Sequence, residues 1–507
     1  MNKSYKLYYY RKGSLVMIMR VLCIVALMLT FISASSYSID IPYITFGQKE
    51  SKSDTKSNDK NMDKITNPDN KDAQFSFRRL GSPSGFTEEQ TSIDFTQPFT
   101  LKQCIDIALK ESPSMKVAKI NLSQGDINIQ DAKANYLPGV NINGSYMFSD
   151  KVHFGWEKEN YNSSLDASYI IWDHGQRKST LAQAKANKDA ENSRYIRTKQ
   201  SLIFDVISGY YGLLQAEKII TVDEQLLEIS KRNVDKITAF IEKGWATEAD
   251  LATARVQQAN NELSMINDYN NLELARANLA VTLGQDPEMP IKVIDDPDYE
   301  AYIKTGSIEK EQVSPEEMKS KSLVSRPELT ELKANQTILQ LAAKLAKLER
   351  FPKLSADTNY NMMVDDYLRE RNAIKNYTSW NVMTTLSFLL FDGGRSLRTV
   401  QKAELALQKI NENKYELEQN ISLEVRQAYL DFERAKKALD ITAVQVEDAK
   451  LSLDVTEGRY ETLMDITLLE LLDVQTRYAK ALSDRVKVFY DYKIARRSLE
   501  KAIGILQ

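Results

Sequence analysis

Residues 388–396 read FLLFDGGRS. Before them, in WNVMTTLSFLL (380–390), Trp380, Val382, Leu386, Phe388 and Leu390 alternate with Asn381, Thr385 and Ser387. Period two with one apolar face is the pattern of a strand. After them, Ser396 to Glu457 contains no Gly and no Pro. Its apolar positions, among them Leu423, Val425, Tyr429, Phe432, Ala435 and Leu439, fall at spacings that mark a helix buried along a broad stripe. At ~1.5 Å per residue that helix is on the order of 90 Å long. The turn between strand and helix is short. Gly393 and Gly394 allow backbone angles that a side chain would oppose, and Asp392 is placed to cap the first free N–H groups of the helix.

The same turn occurs earlier as WDHGQR (172–177), where Trp172, Asp173 and Gly175 correspond to Phe391, Asp392 and Gly394 at an offset of 219. Pro113, Pro138 and Tyr146 recur as Pro327, Pro352 and Tyr360 at 214, and Tyr210 recurs as Tyr429 at 219. Thr247, Arg276, Leu279 and Gly284 recur as Thr467, Arg496, Leu499 and Gly504 at 220. A run of matches in steady register indicates a tandem duplication. Each repeat is expected to hold an incoming helix ending at Pro138 or Pro352, a pair of strands, a long helix and a returning helix. The repeats are placed at 97–290 (strands about 138–173) and 326–507 (strands about 352–392), joined by a segment over 291–325. In LDASYII, Leu165, Ala167, Tyr169 and Ile171 share the apolar face. The long helices are expected over 176–243 and 396–457, each flanked by an incoming and a returning helix stacked end to end.

Charge is balanced, with 67 basic and 70 acidic residues, so no nucleic-acid surface is indicated. Basic residues precede the apolar run VLCIVALMLTFISA, so residues 1–35 read as a secretory signal peptide. Residues 36–96 are polar and read as a disordered linker. Beyond the signal one cysteine remains, Cys104, expected in the core. No later stretch has 18 consecutive apolar residues. Entry into a membrane therefore requires strands in a closed barrel.

Four strands with an apolar face cannot close alone, whereas three protomers supply 12. The lipid-facing set would be Leu165, Tyr169, Ile171, Trp380, Val382, Leu386 and Phe388. Trp156, Trp172 and Trp380 lie in or beside the strands and suit an interfacial girdle. An ordinary half-buried sheet is the other reading of the same alternation. The signal peptide, the duplication, the proline before each strand pair, FDGGR, LKQCIDIALKESPSM (101–115) and LARANLAVTLG (274–284) together resemble the TolC-type outer-membrane efflux proteins. The resemblance spans about residues 97–507. It implies a mainly α fold with a small β part: a trimeric α-helical barrel continued by a 12-stranded transmembrane β-barrel, four strands per protomer. It also implies an outer-membrane location extending into the periplasm. The implied partners are a periplasmic adaptor and an inner-membrane transporter, with no nucleic acid.

For the sites, the resemblance implies an acidic gate just inside the returning helix, at Glu470 and Asp473, with Asp250 the repeat mate of Glu470. The first tip, EKGWATEAD, has Gly244 for its turn; the second, YETLMDITL, lacks that glycine and departs from the family pattern. Gly244, Trp245, Leu463 and Met464 suit adaptor docking, or else packing between neighbouring hairpins. The only histidines, His153 and His174, stand in no metal-ligand or triad arrangement, so no enzyme, cofactor or metal is expected. A periplasmic coiled-coil scaffold or adaptor shares the long hairpins but would need neither strand pairs nor strand-to-helix turns.

Overall fold

In a computed structural model of the chain, residues 97–148, 159–305, 314–365, 378–462 and 466–506 are described. The expected signal peptide and linker lie outside them, as do Trp156, His153, Leu463 and Met464. The elements run α1 Leu101–Glu111, α2 Pro113–Ala134, β1 Gly139–Phe148, β2 Glu159–Trp172, α3 Gln176–Glu242, α4 Glu248–Thr282, α5 Pro297–Thr305, α6 Pro315–Ser325, α7 Pro327–Leu348, β3 Lys353–Asp365, β4 Thr378–Ser387, α8 Arg395–Thr462 and α9 Leu468–Ile503. Helix and a small sheet account for nearly all of it. Among the described residues no helix is long and apolar enough to cross a membrane.

The two long helices have 67 and 68 residues, on the order of 100 Å each. α8 is longer than the Gly-free run suggested, because it passes straight through Gly458. In α3 Gly209 serves packing. A Cβ at Gly209 would come 3.3 Å from Leu279 Cδ1, so its absence lets α4 lie close.

Collinear helices lie along each long one, α2 and α4 beside α3, α7 and α9 beside α8. Their junctions are tight. α4 ends at Gly284 (φ +77°), where a Cβ would stand 2.8 Å from the carbonyl oxygen of Glu111. α9 ends at Gly504 (φ +84°), where a Cβ would lie 3.2 Å from Arg326 Cα. Pro113 and Pro327 open the helices on the other side of each junction, at first-turn positions where a missing N–H costs nothing. Buried Arg326 ties the second junction together. Its Nε donates to the Ala502 carbonyl (2.8 Å), and its guanidinium pairs with Glu328 (3.1 Å) and Glu424.

Midway along the rod the segment before α1 bridges Val293 through Phe99, and Tyr210 Oη donates to the Ile294 carbonyl at 2.7 Å. The largest core cluster lies here, with Tyr299, Tyr302, Phe489 and Tyr490 in mutual ring contact. Cys104 is fully buried in it, and burial pushes its thiol up to about 12.

The four strands form one antiparallel sheet in the order β1-β2-β3-β4. The hairpin registers coincide under the sequence offsets. Gly139↔Ser168 maps onto Lys353↔Ser387, and Phe148↔Glu159 onto Met362↔Thr378.

Candidate functional site

At the strand-to-helix turns each aspartate acts as the cap. Asp173 accepts from the Gly175 N–H (3.0 Å) and from both the N–H and Nε of Arg177 (2.9 Å each). Asp392 accepts from the Gly394 N–H (3.0 Å) and from the N–H and Oγ of Ser396 (2.8 and 2.6 Å). Arg177 and Ser396 are themselves 219 apart, so different side chains supply the same second donor. Burial pushes the Asp173 carboxyl up, but the N–H groups of Arg177 and Gly175 and the Arg177 guanidinium outweigh it and hold it below the usual range.

Gly393 and Gly394 both have positive φ (+65° and +80°). In the first turn Gly175 (+86°) follows His174, which takes +51° despite its side chain. Its contacts explain the tolerance. The imidazole lies 3.7 Å from the Trp172 ring and 4.8 Å from that of Phe351, with Nδ1 3.1 Å from the Pro352 carbonyl oxygen.

Across the sheet the paired residues form apolar rows on one face. Ile142, Leu165, Tyr360 and Trp380 make one row, and Val140, Ala167, Thr358 and Val382 the next. Most of these side chains are exposed, Ile142 at 79 %. The other face is polar, and Asp166 gathers hydrogen bonds from Asn143 (2.8 Å), Ser164 (2.8 Å) and Asn359. Tyr169 and Leu386 follow the alternation onto the apolar face, but Ile171 departs from it. The β2–β3 register shifts between Ile170 and Trp172, so Trp172 instead of Ile171 stands opposite Leu354. The extra residue is a bulge, which re-aims the strand where it leaves the sheet. Phe388 lies just past the end of β4 and is exposed.

At the far ends of the helices the first tip closes on Gly244 (φ +72°), with the Trp245 N–H donating to the Phe240 carbonyl at 2.8 Å. Trp245 is 60 % exposed, its ring edge-on to Phe240 and under the Lys243 ammonium. Phe240 also meets Tyr460 of α8, and Lys236 lies over both rings while pairing with Glu461 at 2.7 Å. This aromatic and lysine cluster was not read from the sequence; Phe240 and Tyr460 are 220 apart, which was its available signal.

The three acids proposed for a gate occupy different settings. Asp250 completes a capping box with Thr247, accepting from its N–H (2.9 Å) and hydroxyl (2.7 Å). The Thr247 hydroxyl and N–H together hold its carboxyl below the ordinary range. Asp473 pairs with Arg477 at 2.7 Å, one turn on. Glu470 is exposed, with its N–H on the Thr467 hydroxyl (3.3 Å).

A further acid lies inside the helical bundle. Asp223 of α3 is buried, with one carboxyl oxygen lacking a hydrogen-bond partner. Burial, then the hydrogen bond and charge of Asp268 on α4, push it up to about 7, against a weaker opposing pull from Lys487 of α9.

The chain as a whole is similar to known proteins. The model of the family described as outer membrane efflux protein matches residues 104–285 and 319–505. Outer membrane protein TolC of Escherichia coli (strain K12) is 20 % identical over 436 residues, 84 % of this chain and 85 % of that protein. Cation efflux system protein CusC of the same strain is 22 % identical over 422 residues, 80 % and 86 %. The crystal structure of the Campylobacter jejuni CmeC outer membrane channel superposes with a TM-score of 0.68 at 18 % identity, covering 80 % of this chain and 85 % of that one. With the family model matching well over half its length, in two stretches that each take in a strand pair and its long helix, this chain belongs to the outer membrane efflux protein family and resides in the outer membrane.

Proposed function

We propose that the protein is the outer-membrane duct of a tripartite efflux or type I secretion system. Two tandem repeats build each protomer. Three protomers close a 12-stranded β-barrel in the outer membrane, continued by a helical barrel through the periplasm. The observation that carries this reading is the sheet. Its apolar face is exposed to no partner in the chain, and both β1 and β4 are open edges. In hydrocarbon an open edge leaves several kcal/mol per unpaired group, so only closure is tolerable.

Two exposed stripes along the rod support the same reading. One runs through Val117, Ile120 and Ile127 of α2 and on through Val256, Leu263, Ile266 and Leu274 of α4. The other runs along α8 through Leu423, Leu430, Ile441, Val444, Leu451 and Val455. They lie on different helices, so copies joined stripe to stripe would form a head-to-tail ring.

Leu165, Tyr169, Trp380, Val382, Leu386 and Phe388 would face lipid, with Ile171 at the rim. Trp245 and Gly244, with Leu463 and Met464 of the second tip, would present the docking surface for a periplasmic adaptor serving an inner-membrane transporter. Glu470 and Asp473 would ring the periplasmic mouth, and Asp250, engaged by Thr247, would reinforce the fold of the first tip. Carboxylates about 6 Å apart repel by roughly 1–3 kcal/mol per pair at effective dielectrics of 80 to 20, which disfavours their full ionisation in a narrow ring.

Membrane fractionation followed by electron microscopy of detergent-extracted particles tests the reading. Trimeric rods with a short membrane segment are expected. A detergent-independent monomer would eliminate it.

A further inference from the structure

β2 outruns β1. The β1–β2 ladder ends at Gly139↔Ser168, while β2 continues to Trp172, paired with β3 alone through Ala356, Ser355 and Leu354. Trp172 then completes a stack with His174 and Phe351.

β4 outruns β3 in the same way. That ladder ends at Lys353↔Ser387, and the twins of Tyr169, Ile170, Ile171 and Trp172 at an offset of 219 are Phe388, Leu389, Leu390 and Phe391. They have no strand partner in the chain. Leu390 and Phe391 are each 86 % exposed. The twins of Leu354, Ser355 and Ala356 at 214 are Val140, Asn141 and Ile142 on the open edge of β1. The twin of Phe351 is Leu137, also exposed.

We propose that β4 of one protomer pairs with β1 of the next in the register that β2 makes with β3 inside the chain. This rests on the closed-ring reading above and adds the surface through which the ring closes. The register sets Val382 opposite the neighbour's Phe148, Thr384 opposite Tyr146, Leu386 opposite Gly144, Phe388 opposite Ile142 and Phe391 opposite Val140. Phe391 then comes down beside Leu137.

The assignment keeps the apolar face continuous across the seam. Even-numbered residues of β1 and β4 both occupy the apolar face of the existing sheet. The transferred register joins even to even from Val382 to Phe388, and past the shift carried over from Ile170/Trp172 it sets Phe391 against Val140, while a slip of one residue along the ladder would set apolar against polar. It also accounts for the stretch FLLF, four apolar residues beyond the last rung of β4. They are the rungs of a ladder whose second rail belongs to another molecule.

The seam differs from its intrachain model at one point. Gly393 stands where His174 fills the space between Trp172 and Phe351. A Cβ at Gly393 would meet nothing within 4 Å in its own chain, so in the transferred register the seam between protomers would lack the ring that fills the seam within a protomer.

Cysteine pairing in detergent-extracted full-length protein tests the register. Directly opposed residues have Cα atoms about 4.5–5.5 Å apart, within disulfide range, whereas positions two along are about 7–8 Å away. β1 and β4 are three strand spacings apart in one chain, about 14 Å, so any product joins two protomers. Cys104 is fully buried and forms no background product. Thr385→Cys with Ser145→Cys should give a covalent ladder up to the closed ring. Thr385→Cys with Asn143→Cys, or with Met147→Cys, should give about tenfold less.

Stronger cross-linking by a shifted pair would overturn the register. No cross-linking by any pair in particles that size as trimers would overturn the β4–β1 seam and leave the trimer standing. Particles that size as monomers would remove both. A gain-of-function arm covers loss of folding: Gly393→His should raise the temperature at which the ring dissociates in SDS by several degrees. An unchanged or lower temperature would refute the packing of Phe391 against Leu137.

Discussion

Gly284 and Gly504 show how much rests on single atoms. Each combines a left-handed backbone with a helix end pressed against the start of its collinear neighbour. Gly284→Ala should cost roughly 2–4 kcal/mol, from about 1–2 for the left-handed residue and the rest from displacing the Glu111–Ser112 backbone. Its thermal midpoint should fall well below that of Gly212→Ala, since Gly212 lies in α3 with open space around its Cα. Asp173→Ala should cost about 1–2 kcal/mol through loss of the cap and the Arg177 pairing, read from the same melts. At this scale the sequence was legible where chemistry is local. Asp392 before two glycines announces a capped turn. His174 in a left-handed conformation was not announced, because its partners Trp172 and Phe351 become neighbours only when β2 pairs with β3. The bulge at Ile171 was equally hidden, since one added residue leaves composition and local alternation unchanged.

Between elements the decisive contact is Asp223 against Asp268, linking α3 to α4 under the influence of Lys487 on α9. The folded-state value of Asp223 lies above its unfolded one. Its contribution is therefore most favourable below about 4 and is lost as pH rises through about 7. Thermal midpoints should fall between pH 5 and pH 8, and Asp223→Asn should flatten that dependence while leaving the pH 5 midpoint nearly unchanged. A parallel fall in both proteins would assign the effect to other groups. Asp223 was invisible as an acid on a helix, because nothing in a single helix shows which of its acids meets another across the bundle. Helix ends were legible to within a few residues, with one instructive failure. Gly458 read as the start of a turn, yet α8 continues to Thr462, since a lone glycine costs only about 1 kcal/mol and tertiary packing outweighs it.

For the assembled channel, the proposed ring of Glu470 and Asp473 gives a direct electrical prediction. Glu470→Gln with Asp473→Asn should raise single-channel conductance in planar bilayers, as expected if these two carboxylates take part in holding the mouth narrow. Unchanged conductance would refute the gate assignment. Trp245→Ala should leave the melt nearly unchanged and weaken adaptor capture in detergent, as expected for an exposed ring that meets Phe240 and the Lys243 ammonium. Four strands, too few to close alone, and a helix too long for a compact chain were legible from the sequence. The proposed seam was not, because in a single chain it shows only as the unpaired apolar run Phe388 to Phe391.

The abutting helix ends carry a consequence for how such a molecule can change length over time. Neither rail of a rod can be lengthened alone without opening a gap at Gly284 or Gly504, so growth there demands matched additions in several helices. The strand hairpins carry no such constraint at their distal bends. Of the six residues by which the offset grows from 214 to 220, five fall between Met362 and Thr378, at the far end of the second hairpin, and one falls in α8 between Tyr429 and Tyr460. Added length thus falls mainly at the far end of a strand hairpin, while the incoming and returning helices keep equal spans in the two halves, Pro113 to Pro138 matching Pro327 to Pro352 and Thr247 to Gly284 matching Thr467 to Gly504.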